Sequence, residues 1–186
     1  MVKKNKIAKL GQQDWIDLGL KVLEESGIEA VRVEPLAKLL GVTKGSFYWH
    51  FKNREEFLEA ILQAWVSQQT DSIIEQVEAM GGDAVTKLLH LFELAIEDDG
   101  RVENAIRAWA AHDSRIAAIL NQVDSRRLNY TKNLFLSVGF TPFEAVVRAR
   151  MVYYSLIGEF TLGTRSNREE RLTEIRLQHK ILTRRE

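Results

Sequence analysis

The residue types that carry acid–base, metal or nucleophilic chemistry are present in this chain but scattered. Its histidines are His50, His90, His112 and His179; no two stand at metal-ligand spacing, and only His112 adjoins a carboxylate, Asp113. No metal site is expected, and a capping or hydrogen-bonded role is the ordinary one for each. The chain has no cysteine, which removes disulfide and thiolate chemistry and fits a reducing interior. It has no Gly-rich phosphate loop and no serine in a nucleophile setting, and Asp98-Asp99 reads as a solvated helix end. An enzyme is not expected, nor a cofactor. The chemistry that does stand out is that of contact, in the run Gly41-Val42-Thr43-Lys44-Gly45-Ser46-Phe47-Tyr48-Trp49-His50-Phe51.

That run reads as a tight turn and a very short helix. Gly41 suits the end of a preceding helix, where a left-handed conformation costs it nothing. Thr43 is placed to cap the next helix through its hydroxyl, with Val42 and Phe47 as the apolar staple across the cap. At about 100° per residue, Phe47 and Phe51 share one face, which is therefore buried. Gly45 and Trp49 point away from it; Lys44 with Tyr48, and Ser46 with His50, form the flanks. Aromatics left outside beside hydrogen-bonding side chains mark a contact surface. Two helices joined by a Gly-containing turn, the second exposing such residues, form the pattern that enters the DNA major groove.

The charge distribution agrees. The 186 residues carry no net charge, yet residues 1–58 hold 10 Lys/Arg against 8 Asp/Glu, and residues 59–164 hold 9 against 14. The first surplus sits in an amino-terminal arm of Lys3, Lys4, Lys6 and Lys9, which suits phosphates or a minor groove; a solubilising tail is the alternative. No apolar run precedes or follows that resembles a signal peptide or a membrane span, so the expected location is cytoplasmic and no membrane partner is expected.

Helical periodicity runs nearly throughout, without repeats or strand-type alternation. It predicts helices at about 12–26, from Pro35, at 44–50, from Asn53 to Gly81-Gly82, and at 83–97, 102–111, 113–138, 141–163 and 167–184. The fold class is all-α with about nine helices. Residues 1–52 are expected to form a three-helix helix-turn-helix domain with its basic arm, and residues 53–186 a second helical domain. Asn53 with Glu56 resembles a capping box, and the long helix it opens joins the two parts without a flexible linker.

Tyr48-Trp49-His50-Phe51-Lys52-Asn53-Arg54, with Leu36-Ala37 and Gly41-Val42 ahead of it, resembles the amino-terminal domain of the TetR family of bacterial regulators over about residues 11–60. The resemblance implies a carboxy-terminal part that binds a small molecule and dimerises, ligand binding releasing the operator. The residues expected at double-stranded DNA are Arg32, Thr43, Lys44, Gly45, Ser46, Tyr48, Trp49, His50 and Lys52. By position, Lys44, Gly45, Ser46, Tyr48 and Trp49 would face bases or groove walls, and Tyr48, His50 and Lys52 would hold phosphates. Arg32 stands where the family usually has a capping Ser or Thr, and Glu34-Pro35 open the second helix where several members carry basic or polar contacts.

In the second part, Trp65, Phe92, Trp109, Tyr130 and Tyr153 are candidates for an effector pocket, with ordinary core as the alternative for each. Arg107 interrupts an apolar run and needs either an internal acid such as Asp113 or an anionic effector; the internal partner is favoured. The helix at 141–163 is apolar on more than one side. Val146, Arg150 and Ile157 on it, with Leu172 and Ile175 on the last helix, are the expected homodimer face. The function expected is a ligand-responsive, homodimeric transcriptional regulator, most simply a repressor on a palindromic operator. The alternative is a helical protein–protein module, or a small-molecule binder without DNA specificity.

Overall fold

The computed structural model describes residues 10–163 and 167–185, and divides into two units between Trp65 and Val66. In the first, α1 (Gln12–Ser26) is followed by a 3-10 turn (Ile28–Ala30), α2 (Val33–Leu39), α3 (Lys44–Tyr48) and α4 (Arg54–Val66). Its core is aromatic and centred on Phe47, whose ring lies 5.2 Å from Trp15, 5.4 Å from Phe57 and 5.2 Å from Phe51. The Trp15 and Phe57 contacts are edge-to-face, the geometry the ring quadrupoles favour. Arg54 reaches back to the 3-10 turn, donating Nε to the Val31 carbonyl at 2.7 Å and Nη2 to the Ile28 carbonyl at 3.0 Å. The Ile28 carbonyl also accepts from Val31 N–H at 3.1 Å within the turn, so the guanidinium adds a second bond there and ties the turn to the start of α4.

The second unit holds α5 (Ser72–Met80), α6 (Ala84–Ala95), α7 (Arg101–Ala110), α8 (Ser114–Val138), α9 (Pro142–Leu162) and α10 (Arg168–Thr183). α8 packs against α6, α7 and α9, and α10 against α6. Leu88, Phe92, Leu134, Phe135, Phe140, Ala145, Ala149 and Leu182 make its main core cluster. The small Ala145 and Ala149 keep the inward face of α9 low. The helix starts are those the sequence signals. Asp83 accepts from the Thr86 N–H at 2.8 Å, Asp113 from Arg115 N–H at 3.0 Å, and Thr141 with Glu144 and Asn167 with Glu170 close capping boxes. The Asp113 cap settles the break at 111–113 as a true interruption.

The all-α class holds, and the helix bounds follow the expected ones closely. Helical backbone continues from Arg54 to Met80, but residues Ser67–Asp71 are wound as a π-helix. Counting α4 to α5 as one interrupted helix gives nine among the described residues. Periodicity alone does not reveal such a turn, because one extra residue only shifts the apolar stripe.

Three expectations change. The unit boundary falls at 65/66 rather than 52, because Phe57 and Ile61 of α4 belong to the first core; Gly19 of α1 lets them approach. Thr43 occupies the cap position of α3, but its hydroxyl makes no bond to the helix; the Thr43 carbonyl instead accepts from Ser46 N–H at 3.0 Å. Five residues leave little helix to cap. Helical spacing makes Leu36, Ala37, Leu39 and Leu40 the apolar side of α2; Leu36 and Ala37 are buried, but Leu39 is 66% exposed.

A Cβ at Gly19 would meet Ile61 Cδ1 at 2.5 Å and Phe57 Cζ at 2.7 Å. Gly19→Ala should therefore destabilise the chain by about 1–2 kcal/mol in urea denaturation, overpacking outweighing the helix-propensity gain.

Candidate nucleic-acid interface and interior cavity

α3 is too short to persist alone, since helix nucleation is costly. The Phe47 cluster holds it, and with Phe47 and Phe51 inside, the opposite face is presented outward. Trp49 is 88% exposed and Tyr48 59%. Thr43, Lys44 and Gly45 are exposed, and Ser46 and His50 half-buried. A Cβ at Gly45 would meet only Thr43 Oγ1, at 3.5 Å, so this side of the helix is open to close approach. Arg32 stands exposed at the cap position of α2 with no side-chain capping bond.

The turn into α4 is built by a cross-over. Asn53 Oδ1 accepts from Glu56 N–H at 2.9 Å, and Glu56 Oε2 accepts from Lys52 N–H at 2.9 Å. This leaves the exposed Lys52 side chain just ahead of the positive end of α4. All nine expected contact residues thus sit at the start of α2, on α3, or in the turns beside α3. The acid Glu34 pairs with Lys44. Both are largely exposed, so the pair is weak and exchangeable, and it answers where the Glu34 carboxylate points. Lys3, Lys4, Lys6 and Lys9 of the basic arm lie outside the described residues.

The second unit encloses a cavity of about 110 Å³. Ile73, Ile74, Leu91, Val152 and Leu156 give it an apolar wall, and of the residues named for an effector pocket Phe92, Tyr130 and Tyr153 line it. Trp65 and Trp109 are buried but outside this lining, and so is Arg107. Tyr130 donates its hydroxyl to Glu78 Oε1 at 2.7 Å, and burial pushes its pKa up.

A network of charges, with Glu103 buried and the others half-buried, runs from the polar end of the cavity outward. Arg107 donates to both oxygens of Asp124, at 3.2 and 2.8 Å, and pairs with Glu103 at 2.6 Å; Asp113 instead accepts from Arg115. The internal partner foreseen for Arg107 is therefore Asp124 with Glu103. Arg127 donates to Glu103 Oε2 at 2.9 Å, Thr70 Oγ1 at 2.9 Å and the Gln69 carbonyl at 3.2 Å. The last two belong to the π turn, whose spacing leaves a carbonyl for a side chain to satisfy. Tyr153 donates to Asp124 Oδ1 at 2.6 Å and accepts from Arg107 at 2.9 Å. Burial raises its pKa and disfavours an anionic phenolate. Burial works against the Arg127 charge, but Glu103 and Tyr153 outweigh it and its pKa rises. Sequence reasoning misses Arg127; its neighbour Arg126, paired with Asp71, makes the two look like one solvated charge run.

On α9 the apolar residues facing outward are Phe143, Val147, Met151, Tyr154 and Leu162; α10 adds Leu177 and Ile181. This stripe differs from the expected dimer face. Of the five residues named for it, only Arg150 is exposed; Val146, Ile157 and Leu172 are half-buried, and Ile175 lines the cavity. The inward side of α9 is Ala145, Ala149, Tyr153 and Phe160. A one-residue error in choosing that side turns the outward stripe by about 100°.

The geometry is that of a helix-turn-helix unit joined to a helical bundle with an interior cavity, and residues 16–61 match the family model of bacterial regulatory proteins, tetR family. Over those residues the chain is similar to the amino-terminal part of that family. It is 26% identical over 94 residues to the HTH-type transcriptional regulator AcrR of Shigella flexneri, covering 48% of this chain and 44% of that protein. It is 36% identical over 55 residues to the class D tetracycline repressor protein of Escherichia coli, covering 30% of this chain and 25% of the repressor. The chain thus matches less than half the length of these relatives. A crystal structure of AibR in complex with isovaleryl coenzyme A and operator DNA shares the fold, with a TM-score of 0.70, 14% identity, and coverage of 88% of this chain and 95% of that one.

Arg127→Met would leave Glu103 to Arg107 alone and strand the π-turn groups, and should cost about 1–3 kcal/mol in chemical denaturation. Tyr153→Phe removes only the hydroxyl and should cost about 1–3 kcal/mol on the same measurement.

Proposed function

We propose that this chain is a ligand-responsive transcriptional regulator that binds a palindromic operator as a homodimer and represses until a small molecule occupies the second unit. The observation that carries the DNA reading is Trp49, almost fully exposed on a helix whose other face is locked into an aromatic core. Around it stand Lys44, Ser46, Tyr48 and His50 for base edges and phosphates, Gly45 for close approach, and Arg32, Thr43 and Lys52 at the margins. The match of residues 16–61 to the tetR family model supports it, as does the fold shared with AibR, whose structure carries both a ligand and operator DNA. The compartment inferred is the cytoplasm, where the DNA is; no helix among the described residues is long and apolar enough to cross a membrane.

For the dimer we infer the α9 and α10 stripe of Phe143, Val147, Met151, Tyr154, Leu177 and Ile181. Large apolar side chains in one row on two adjacent helices are costly to leave in water, and a two-fold axis would bury both copies. For the effector we infer the cavity lined by Phe92, Tyr130 and Tyr153. Its wall includes Gln69 and Thr70 of the π turn, so an occupant touches the helix that runs on from the DNA-reading unit. Re-winding that turn is the two-state element through which a ligand of unequal affinity would shift DNA binding.

Trp49→Ala should weaken operator binding by about 30-fold or more in mobility-shift titration, with an unchanged melting temperature. Wild-type affinity should fall steeply with salt, as phosphate contacts release counterions. Binding that ignores salt would favour the protein–protein reading of the same surface. Met151→Glu with Tyr154→Glu should give a monomer by light scattering and lower operator affinity, while leaving helix content intact.

A further inference from the structure

The charges around the cavity do not balance, and the imbalance identifies a class of ligand. The inference rests on the reading of this cavity as the effector site. Four formally charged side chains line it: Asp98, Glu103, Glu159 and Arg127. Glu103 lies between two guanidiniums, Arg127 at 2.9 Å and Arg107 at 2.6 Å. Glu159 accepts from Arg171 Nε at 2.8 Å. Asp98 differs. Its Oδ1 accepts from the Gly100 N–H at 2.5 Å, and no cation stands within ion-pair distance of it among the described residues. Arg171 reaches toward it only at the backbone carbonyl, at 3.5 Å.

Nor do the described residues of the lining offer a spare cation for an anionic ligand. Arg127 spends Nε on Thr70, Nη1 on Glu103 and Tyr153, and Nη2 on the Gln69 carbonyl. Arg107 lies outside the lining and is held by Asp124, Glu103 and Tyr153. An entering carboxylate or phosphate would meet three acids and no unengaged donor of positive charge. Burial, helped by the neighbouring Asp99 and Glu103 charges, pushes the Asp98 carboxyl above its ordinary range, against the Gly100 N–H bond and the more distant Arg127 charge.

We propose that the cavity binds a small apolar cation, an amine or quaternary ammonium on a compact hydrocarbon body, with Asp98 as its counterion. The volume of about 110 Å³ sets the scale of the enclosed part; an apolar cavity of about 150 Å³ accepts benzene. The enclosed part of the body is therefore at most one ring, or a short branched chain. Phe160 packs against Gly100, two residues after Asp98, and lines the same cavity. It supplies aromatic surface beside the carboxylate, which favours a cation further.

The test uses three probes of one shape and different charge: phenethylamine, 2-phenylethanol and phenylacetate. Each is titrated into the full chain at neutral pH and followed by protein NMR, with Asp98→Asn in parallel. The amine should bind the wild type at least about tenfold more tightly than phenylacetate. Asp98→Asn should bring the amine down to the affinity of the alcohol and leave the alcohol unchanged. If 2-phenylethanol binds at the cavity residues but phenylacetate equals or exceeds the amine, the charge assignment is overturned and the cavity reading stands. The charge assignment is overturned equally if Asp98→Asn leaves the amine preference intact. If no probe shifts the cavity resonances, both the assignment and the cavity reading fail. Should the variant not fold, the wild-type ranking of the three probes decides alone.

Discussion

Arg127 is the constraint on which the second unit depends. A buried guanidinium is tolerated only if every donor has an acceptor, because removing a charge from water costs several kcal/mol even after relaxation. Here the acceptors come from four places: Glu103 on α7, Tyr153 on α9, and Thr70 and the Gln69 carbonyl in the π turn, around Arg127 itself on α8. One side chain thus fixes the register of three helices and satisfies an irregularity in a fourth. The wall of the cavity is made from the same groups. A ligand entering there does not meet a passive apolar hole; it meets the network that holds the π turn.

The first unit solves a different problem by a different means. Its α3 has five residues and no side-chain cap. Its conformation is imposed by aromatic packing, with Phe47 in contact with Trp15, Phe51 and Phe57. That arrangement lets the outward residues be chosen for contact rather than for helix propensity, which is how Gly45, Tyr48 and Trp49 come to stand together. The Arg54 clamp on the Ile28 and Val31 carbonyls ties the start of α4 to the turn before α2.

Much of this is legible in the sequence. The turn at Gly41, the buried pair Phe47 and Phe51, the outward Trp49 and the caps at Asn53, Asp113 and Thr141 are short-range patterns, fixed by residues within a turn or two. What escapes depends on partners far along the chain. Arg107 finds Asp124 rather than nearby Asp113, because one turn of helix geometry carries the closer acid away. Arg127 gives no signal beside Arg126, since an exposed and a buried arginine look alike in sequence. The outward face of α9 is misread because that helix is apolar around most of its circumference. Small Ala145 and Ala149 mark the core side, and large Phe143, Val147 and Met151 mark the outside. The π turn leaves no compositional trace.

Selection of bound sequences from a pool of randomised DNA duplexes by the full chain puts the DNA-reading role to its plainest test. An inverted repeat should be recovered, with half-sites separated by a spacing that reports the distance between the two reading helices of a dimer. No enrichment at either low or moderate salt would contradict that role, and would assign the surface around Trp49 to a protein partner.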